Sequence, residues 1–244
     1  MKTSGGSDAM KRRAGESAAE AVTDGDVVGL GTGSTAAHAI RRLGDRVNAG
    51  LDVRGVPTSF ASRELAAEEG ILCLDLPEAV GPDGPGIDLA IDGADQVATG
   101  SDGADDPVSG GALIKGGGAA HAREKLVDAA ADRFLVVADP SKESPRLDRP
   151  VPVEVLPAGR TAVAAAVREA GGEPTLRRAE RKDGPVVTDN GNLVLDCEFG
   201  EVADPAALSA TLSSIPGAVE HGLFVGLADE IHVGTESGVR VDEV

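Results

Sequence analysis

A short apolar run, Asp26-Val27-Val28-Gly29-Leu30, leads directly into Gly31-Thr32-Gly33-Ser34-Thr35 and then into a helical stretch over Ala36–Leu43. A buried strand, a tight glycine-rich turn and a helix, in that order, open an α/β domain. The alternation continues along the first half of the chain. Asp52–Val56, Ile71–Leu74 and Ile87–Ile91 read as strands, and Ser59–Glu69 as a helix. Ala112–Lys115 and Phe134–Ala138 are further strands, with a helix over Ala119–Ala131 between them. A helix over 7–23, with Ser7 or Asp8 as its N-cap, precedes the first strand and stops at Gly25. Residues 96–111 (QVATGSDGADDPVSGG) are acidic, glycine-rich and aperiodic, which predicts a solvated loop or hairpin tip.

The pattern changes near Pro150. Strand, helix, strand, strand, helix and strand follow in turn, with helices over 160–170 and 205–213 and strands over 174–178, 186–188 and 193–196. That order predicts a small ferredoxin-like α+β domain. The expected fold is therefore α/β: a larger domain from 1–149 plus 221–244, and a smaller inserted α+β domain over 150–220. The tail from Leu223 to Val244 holds two more strands, expected to return to the larger domain.

Composition removes several classes of function. Lys and Arg number 23 against 41 Asp and Glu, a net charge of -18. Such a chain repels nucleic acid and anionic membrane surfaces. With four Phe and no Trp or Tyr, it also lacks the aromatic platforms on which single-stranded bases stack. No apolar run approaches membrane-spanning length, and Met1–Gly25 has no apolar core of the kind a secretory signal carries. The expected location is the cytoplasm. The four His (His38, His121, His221, His232) show no metal-ligand spacing, so no metal is expected. Cys73 and Cys197 sit in apolar strand-like runs and read as buried thiols. Lys is scarce: Lys2, Lys11, Lys115, Lys125, Lys142 and Lys182 are the six in the chain. Dense carboxylates with sparse Lys suggest a surface adapted to high salt, which screens self-repulsion to a few ångströms.

Five segments carry candidate chemistry. Thr32, Gly33, Ser34 and Thr35 put exposed amides and three hydroxyls at the positive end of a helix, which suits a phosphate. An ordinary β–α turn capped by Ser34 or Thr35 fits the same residues. It is not a dinucleotide fingerprint, because the third glycine is missing from its place. Asp92, Gly93, Ala94 and Asp95 close an apolar strand, where ligands of open α/β sheets bind; an Asp/Gly turn is the alternative. Lys115 ends another strand and is followed by Gly116, Gly117 and Gly118. Three consecutive glycines are entropically costly without a reason in the backbone, and the ammonium suits a developing enediolate oxygen. Glu124 lies on the next helix, where a Glu in a charged turn is usually a solvated partner of its neighbours. Beside a Lys, two Asp and a phosphate cradle, it is the carboxylate an aldose–ketose isomerase needs as base. Lys142, after the strand FLVVA, is a second cation at a strand end, in what also reads as an ordinary loop.

Taken together these segments resemble type A ribose-5-phosphate isomerase. The matching pieces are VGLGTGSTA (28–36), DLAIDGAD (88–95), LIKGGGAAHAREKLV (113–127), FLVVADPSK (134–142), PVEVLP (152–157), VTDNGN (187–192) and IPGAVEHGLF (215–224). The resemblance implies a Rossmann-like catalytic domain with a smaller domain inserted, cofactor-free interconversion of ribose 5-phosphate and ribulose 5-phosphate, and a homodimer or homotetramer. It implies Glu124 as proton acceptor, with Asp92, Asp95 and Lys115 assisting, and Thr32–Thr35, Asp92–Asp95, Lys115–Gly118 and Lys142 binding substrate. Two features depart from the family: Gln96 stands where Glu is usual, and 96–111 is longer than usual. An amino-sugar phosphate isomerase, a coenzyme A transferase and a non-catalytic sugar-phosphate sensor are the competing readings, since a shared superfold does not separate functions.

If the carboxylate-rich surface is an adaptation to salt, dialysis of the purified protein into low-salt buffer should unfold and inactivate it. Circular dichroism and activity that survive dialysis would exclude that adaptation.

Overall fold

The structure is a computed structural model that describes residues 6–99, 111–181 and 183–244. Most of the segment 96–111 therefore lies outside the described residues. The chain divides into two compact units. Among the described residues, one comprises 6–94, 123–142 and 227–244; the other comprises 95–99, 111–122 and 143–226 apart from 182.

The first unit is built on a seven-stranded sheet. Its strands run Val239–Glu243, Glu230–Gly234, Phe134–Ala138, Leu89–Gly93, Val27–Leu30, Arg54–Pro57 and Leu72–Cys73 across the sheet. All neighbours pair in parallel except Val239–Glu243, which returns antiparallel along one edge. Strands buried on both faces read as unbroken apolar runs, and Phe134–Ala138 (FLVVA) is buried throughout. The exposed edge strand instead carries charge, with Arg240 paired to Asp242. This discourages pairing with another chain.

Alternation assigns each strand residue to a face. Val28, Leu30, Leu89, Ile91, Leu135 and Val137 face the helices Asp8–Ala19 and Ser34–Asn48, which contribute Ala14, Ala18, Ala39, Ile40 and Leu43 to that core. Val27 and Ile87 pack on the other side with Ala79 and Val127, the latter from the helix His121–Asp128. The result is helices on both faces of a parallel sheet. Glycines permit the closest approaches. A β-carbon on Gly29 would lie 2.7 Å from Val127 Cγ1, and one on Gly234 would lie 1.9 Å from the Met10 carbonyl oxygen in the first helix.

The first helix is shorter than the expected 7–23, ending at Ala19. Arg46 reaches across and donates to the carbonyls of Ala19 and Val22, satisfying acceptors at the helix end from outside. Ser7 is its N-cap, accepting from the Met10 amide. A helix over Leu76–Val80, capped by Asp75, was not anticipated.

The second unit has two four-stranded sheets. The first is antiparallel, in the order Glu173–Leu176, Leu193–Glu198, Val151–Val155, Ala218–His221. Helices Arg160–Glu169 and Pro205–Ser213 supply Val163, Val167 and Leu212 to its core. Residues 150–220 lie wholly within this unit. The second sheet runs Leu223–Val225, Ala112–Ile114, Gln96–Ala98, Glu143–Ser144. Two expectations change here. Gln96–Ala98 is a strand rather than loop, paired antiparallel to Ala112–Ile114. The tail holds three strands rather than two: Glu230–Gly234 and Val239–Glu243 return to the larger sheet as expected, and a further one, Leu223–Val225, pairs with Ala112–Ile114. The residues around 186–188 form only an isolated bridge, Val187 with Leu193.

Gly234→Ala should destabilise the first unit by about 1–3 kcal/mol, because the first helix must lift off the strand. In high salt the melting temperature should fall by roughly 3–10 °C. An unchanged melting temperature would show that the helix shifts at no cost.

Candidate active site

Strand order locates the first half of the site. From Val27–Leu30 the chain winds outward through Arg54–Pro57 to Leu72–Cys73, then crosses back to Leu89–Gly93 and winds the other way. The direction of winding reverses between Val27–Leu30 and Leu89–Gly93. Ligands of open α/β sheets bind beyond the carboxyl ends of strands at such a reversal. Gly31–Thr35 follows one of these strands and Asp92 lies at the end of the other.

The structure brings these two segments together. Asp92 is fully buried. Its Oδ1 accepts from the Thr32 amide at 3.0 Å and from the Gly93 amide at 2.6 Å. This packing demands glycine at position 31, where a β-carbon would stand 2.2 Å from Asp92 Oδ1. Thr32 Oγ1 donates to Ser59 Oγ at 2.7 Å and bonds Thr58 Oγ1 at 2.9 Å. Sequence reasoning missed Thr58 and Ser59. The signal available was their place at the end of Arg54–Pro57, the next strand along. Ser59 also caps the helix Phe60–Glu68 in a reciprocal box with Ser62.

Gly33 takes φ 121° as the N-cap of Ser34–Asn48, a conformation that side chains rarely adopt. Ser34 is exposed and Thr35 buried. The turn thus offers amides and the exposed Ser34 at the positive end of a helix of 15 residues.

Glu124 and Lys142 belong to the same unit. Glu124 lies in the first turn of His121–Asp128 and is 4% exposed. The chain leaves that helix toward Ala131, which bridges Ile87 at the amino end of the sheet. Its first turn therefore lies toward the carboxyl end, some 12 Å away at 1.5 Å per residue. Ionised side chains are rarely buried to this degree. Lys142 closes the turn Pro140–Lys142 after Phe134–Ala138, a neighbour of Leu89–Gly93, and is 8% exposed. Neighbouring Asp139 is fully buried and accepts from the Ser141 amide. The guanidinium of Arg123 lies over the Phe60 ring at 5.3 Å.

The second unit holds Asp95 and the glycine nest. Asp95 Oδ2 accepts from the Gly117 amide at 2.6 Å. Gly116 has φ 102°, and Ala119 has φ 61°, the one non-glycine residue with positive φ among the described residues. Strain of this kind costs about 1–3 kcal/mol and gathers at functional sites. Lys115 is 2% exposed, with Nζ 5.3 Å from the centre of the Phe224 ring, within cation–π range. His121 is buried against Gly116 and shares its Nε2 with the Glu220 carbonyl. Gly118 is exposed at the tip of the nest. Ala94 belongs to the first unit and is covalently joined to Asp95 in the second.

Gln96, the departure from the family pattern, has a local reason. Its amide nitrogen donates to Asp148 Oδ1 at 2.6 Å, and its oxygen accepts from the Asp148 and Arg149 amides. A Glu could not donate to that carboxylate. The thiols play no evident part in the chemistry. Burial pushes Cys197 up to about 12 and raises Cys73 as well, so neither forms a ready thiolate. Among the described residues no group of three or more His, Cys, Asp or Glu is placed to hold a metal ion, and no helix is long and apolar enough to cross a membrane.

Comparison with known proteins gives a consistent result. The model of the family described as ribose 5-phosphate isomerase A (phosphoriboisomerase A) matches residues 54–238. A ribose-5-phosphate isomerase A from Halorubrum lacusprofundi is 81% identical over 241 residues, 99% of each chain. One from Haloarcula marismortui is 67% identical, covering 97% of this chain and 96% of that one. The solved ribose 5-phosphate isomerase A of Methanocaldococcus jannaschii superposes with a TM-score of 0.86 at 41% identity, covering 96% of this chain and 98% of that one. A D-ribose-5-phosphate isomerase solved in complex with phospho-erythronic acid superposes with a TM-score of 0.87 at 38% identity, with the same coverage.

Gly31→Ala should push Asp92 off the Thr32 amide. We expect a loss of about 1–3 kcal/mol in stability and faster hydrogen exchange at Thr32. A protein as stable as the parent with an equally protected amide would refute this packing argument.

Proposed function

The chain belongs to the ribose 5-phosphate isomerase A family, and on that premise we propose how its own residues carry out the reaction. It is an aldose–ketose isomerase that interconverts D-ribose 5-phosphate and D-ribulose 5-phosphate. The reaction is internally balanced: C1 is reduced as C2 is oxidised, so no external redox partner is required.

In this reading the turn Thr32–Thr35 and Lys142 bind the polar end and hydroxyls of the substrate. Asp92, with Lys115, assists opening of the sugar ring, and Asp95 holds the nest from Lys115 to Gly118. Glu124 takes the proton from C2 of the open-chain aldose, and the electron pair moves to the C1 carbonyl oxygen, giving an enediolate. Lys115 and nearby amides stabilise that oxygen. Glu124 then returns the proton to C1 while the C2 hydroxyl proton passes to the C1 oxygen, which leaves a hydroxyl at C1 and the carbonyl at C2. Gly93 and Ala94 leave room for substrate beside Asp92.

The observation that carries this reading is the burial of Glu124 in the first turn of a helix whose start faces the carboxyl end of the parallel sheet. A carboxylate meant only for solubility would not be withdrawn from water there. We further propose that the enzyme serves the non-oxidative pentose phosphate pathway in the cytoplasm as a homodimer or homotetramer. The net charge of -18 and the haloarchaeal relatives support a salt-adapted enzyme.

Glu124→Gln should lower kcat by about 10²–10⁴-fold, the range for a positioned general base, while KM moves little. Ketose formation from ribose 5-phosphate, followed in high-salt buffer, checks this. Near-normal turnover in the Gln variant would transfer the role to another base.

A further inference from the structure

The glycine nest is gripped from behind by a side chain that no sequence motif marks. Arg177 follows the strand Glu173–Leu176 and is 10% exposed at its side chain. Its Nη1 donates to the Gly116 carbonyl at 2.7 Å and to the Gly117 carbonyl at 3.3 Å. The other edge of the guanidinium is held by Asp196, which accepts from Nε at 2.9 Å and also from Nη2. The fork geometry fixes the plane of the guanidinium, as a point charge on a Lys stem would not.

A trans peptide points its N–H opposite to its C=O. With the carbonyls of Gly116 and Gly117 turned toward Arg177, the amides of Gly117 and Gly118 are turned away from it. The Gly117 amide meets Asp95 Oδ2 at 2.6 Å. One peptide, Gly116–Gly117, is thus clamped between a guanidinium and a carboxylate. The Gly118 amide faces the same way at the exposed tip. The clamp also spans a turn with positive φ at both ends, Gly116 at 102° and Ala119 at 61°, closed by the Ala119 amide on the Gly116 carbonyl.

We infer that Arg177, aimed by Asp196, is a positioning residue of the isomerase. It holds the strained turn from Gly116 to Ala119 so that the Gly117 and Gly118 amides and Asp95 keep the orientation the reaction needs. This rests on the reaction proposed above. The role differs from substrate binding: Arg177 acts through the nest and so governs turnover rather than affinity. Asp196 and Arg177 lie in segments that supply none of the recognised site residues.

The test compares the parent with Arg177→Ala, Arg177→Lys and Asp196→Asn in high salt. Arg177→Ala should lower kcat about 10–100-fold, the size expected when reacting groups shift by about an ångström. KM should stay within about threefold and the folded circular dichroism spectrum should be kept. Arg177→Lys and Asp196→Asn should fall between the parent and the Ala variant. Independently of activity, hydrogen exchange at Gly117, whose amide is bonded to Asp95, should quicken at least about tenfold in the Ala variant. The inference is overturned if a folded Arg177 variant keeps kcat within about twofold of the parent, if the loss appears in KM alone, or if the Gly117 amide stays equally protected. Should Arg177→Ala not fold, Arg177→Lys decides by the same criteria. A parent protein that forms no ketose would refute the reaction assignment, while the exchange measurement would still decide the clamp.

Discussion

Two adjacent parallel strands of the first unit meet where there is no room for a β-carbon. Gly29 pairs with Ala90, and a side chain there would strike both Ala90 and Val127. Two residues on, Gly31 abuts Asp92. The first contact lets the helix His121–Asp128 settle onto the sheet; the second lets a carboxylate occupy the space a side chain would fill. Both follow from one strand that places glycine at alternate positions on one face. Close packing leaves little latitude for a different solution, because interiors at crystal-like density transmit a misplaced methyl to their neighbours. The burial of Asp92 and the descent of the helix bearing Glu124 are thus consequences of the same glycine spacing.

That spacing is visible in the chain, and so is much of what surrounds it. Phe134–Ala138 was legible to the residue, because five buried apolar residues have no competing pattern. Pro205–Ser213 was legible through its cap Asp204 and the Pro at its first position. What was hidden depends on partners distant in sequence. Gln96–Ala98 offers two apolar residues in an acidic stretch, and it becomes a strand only because Ala112–Ile114 and Glu143–Ser144 lie on either side. Leu223–Val225 is an unmistakable strand, but nothing local states which sheet it joins. At the candidate site, the acids, the Lys and the glycines announced themselves by type and spacing. The residues behind them did not. Thr58, Ser59 and Arg177 have ordinary sequence surroundings and acquire a role only through contacts with Thr32 and Gly116.

Charge is divided by residue type as well as by depth. Arg forms pairs with carboxylates in partly or fully exposed places, such as Arg42 with Glu20 and Arg63 with Asp75. Isolated pairs of this kind contribute little at ordinary temperature and less in salt. Each offsets one of the 41 carboxylates locally. Lys behaves differently. Of the four among the described residues, Lys115 and Lys142 are buried. An ammonium is a compact point charge suited to a single developing oxygen, whereas a guanidinium suits two acceptors in a plane. Burial also shields these cations from the salt that screens the surface, so a chemistry dependent on them can persist where surface attraction has been screened away.

Arg177 stands between these two uses. It has the two-acceptor geometry of a surface Arg, with Asp196 on one edge, but its side chain is almost withdrawn from solvent and its other edge faces peptide carbonyls. Hydrogen bonds to a charged donor contribute more than neutral ones, and a buried carbonyl left without its donor costs more still. A turn with positive φ at Ala119 is therefore better held by a guanidinium than by backbone bonding alone. Glycine gives the nest its shape but no rigidity, since it loses more freedom on ordering than any other residue. A flexible nest would present its amides over a spread of directions and stabilise a developing oxyanion poorly, because such stabilisation depends on dipoles fixed before charge appears. Permissive glycines in front and a rigid fork behind together satisfy both requirements, tight curvature and fixed direction, which neither residue type meets by itself.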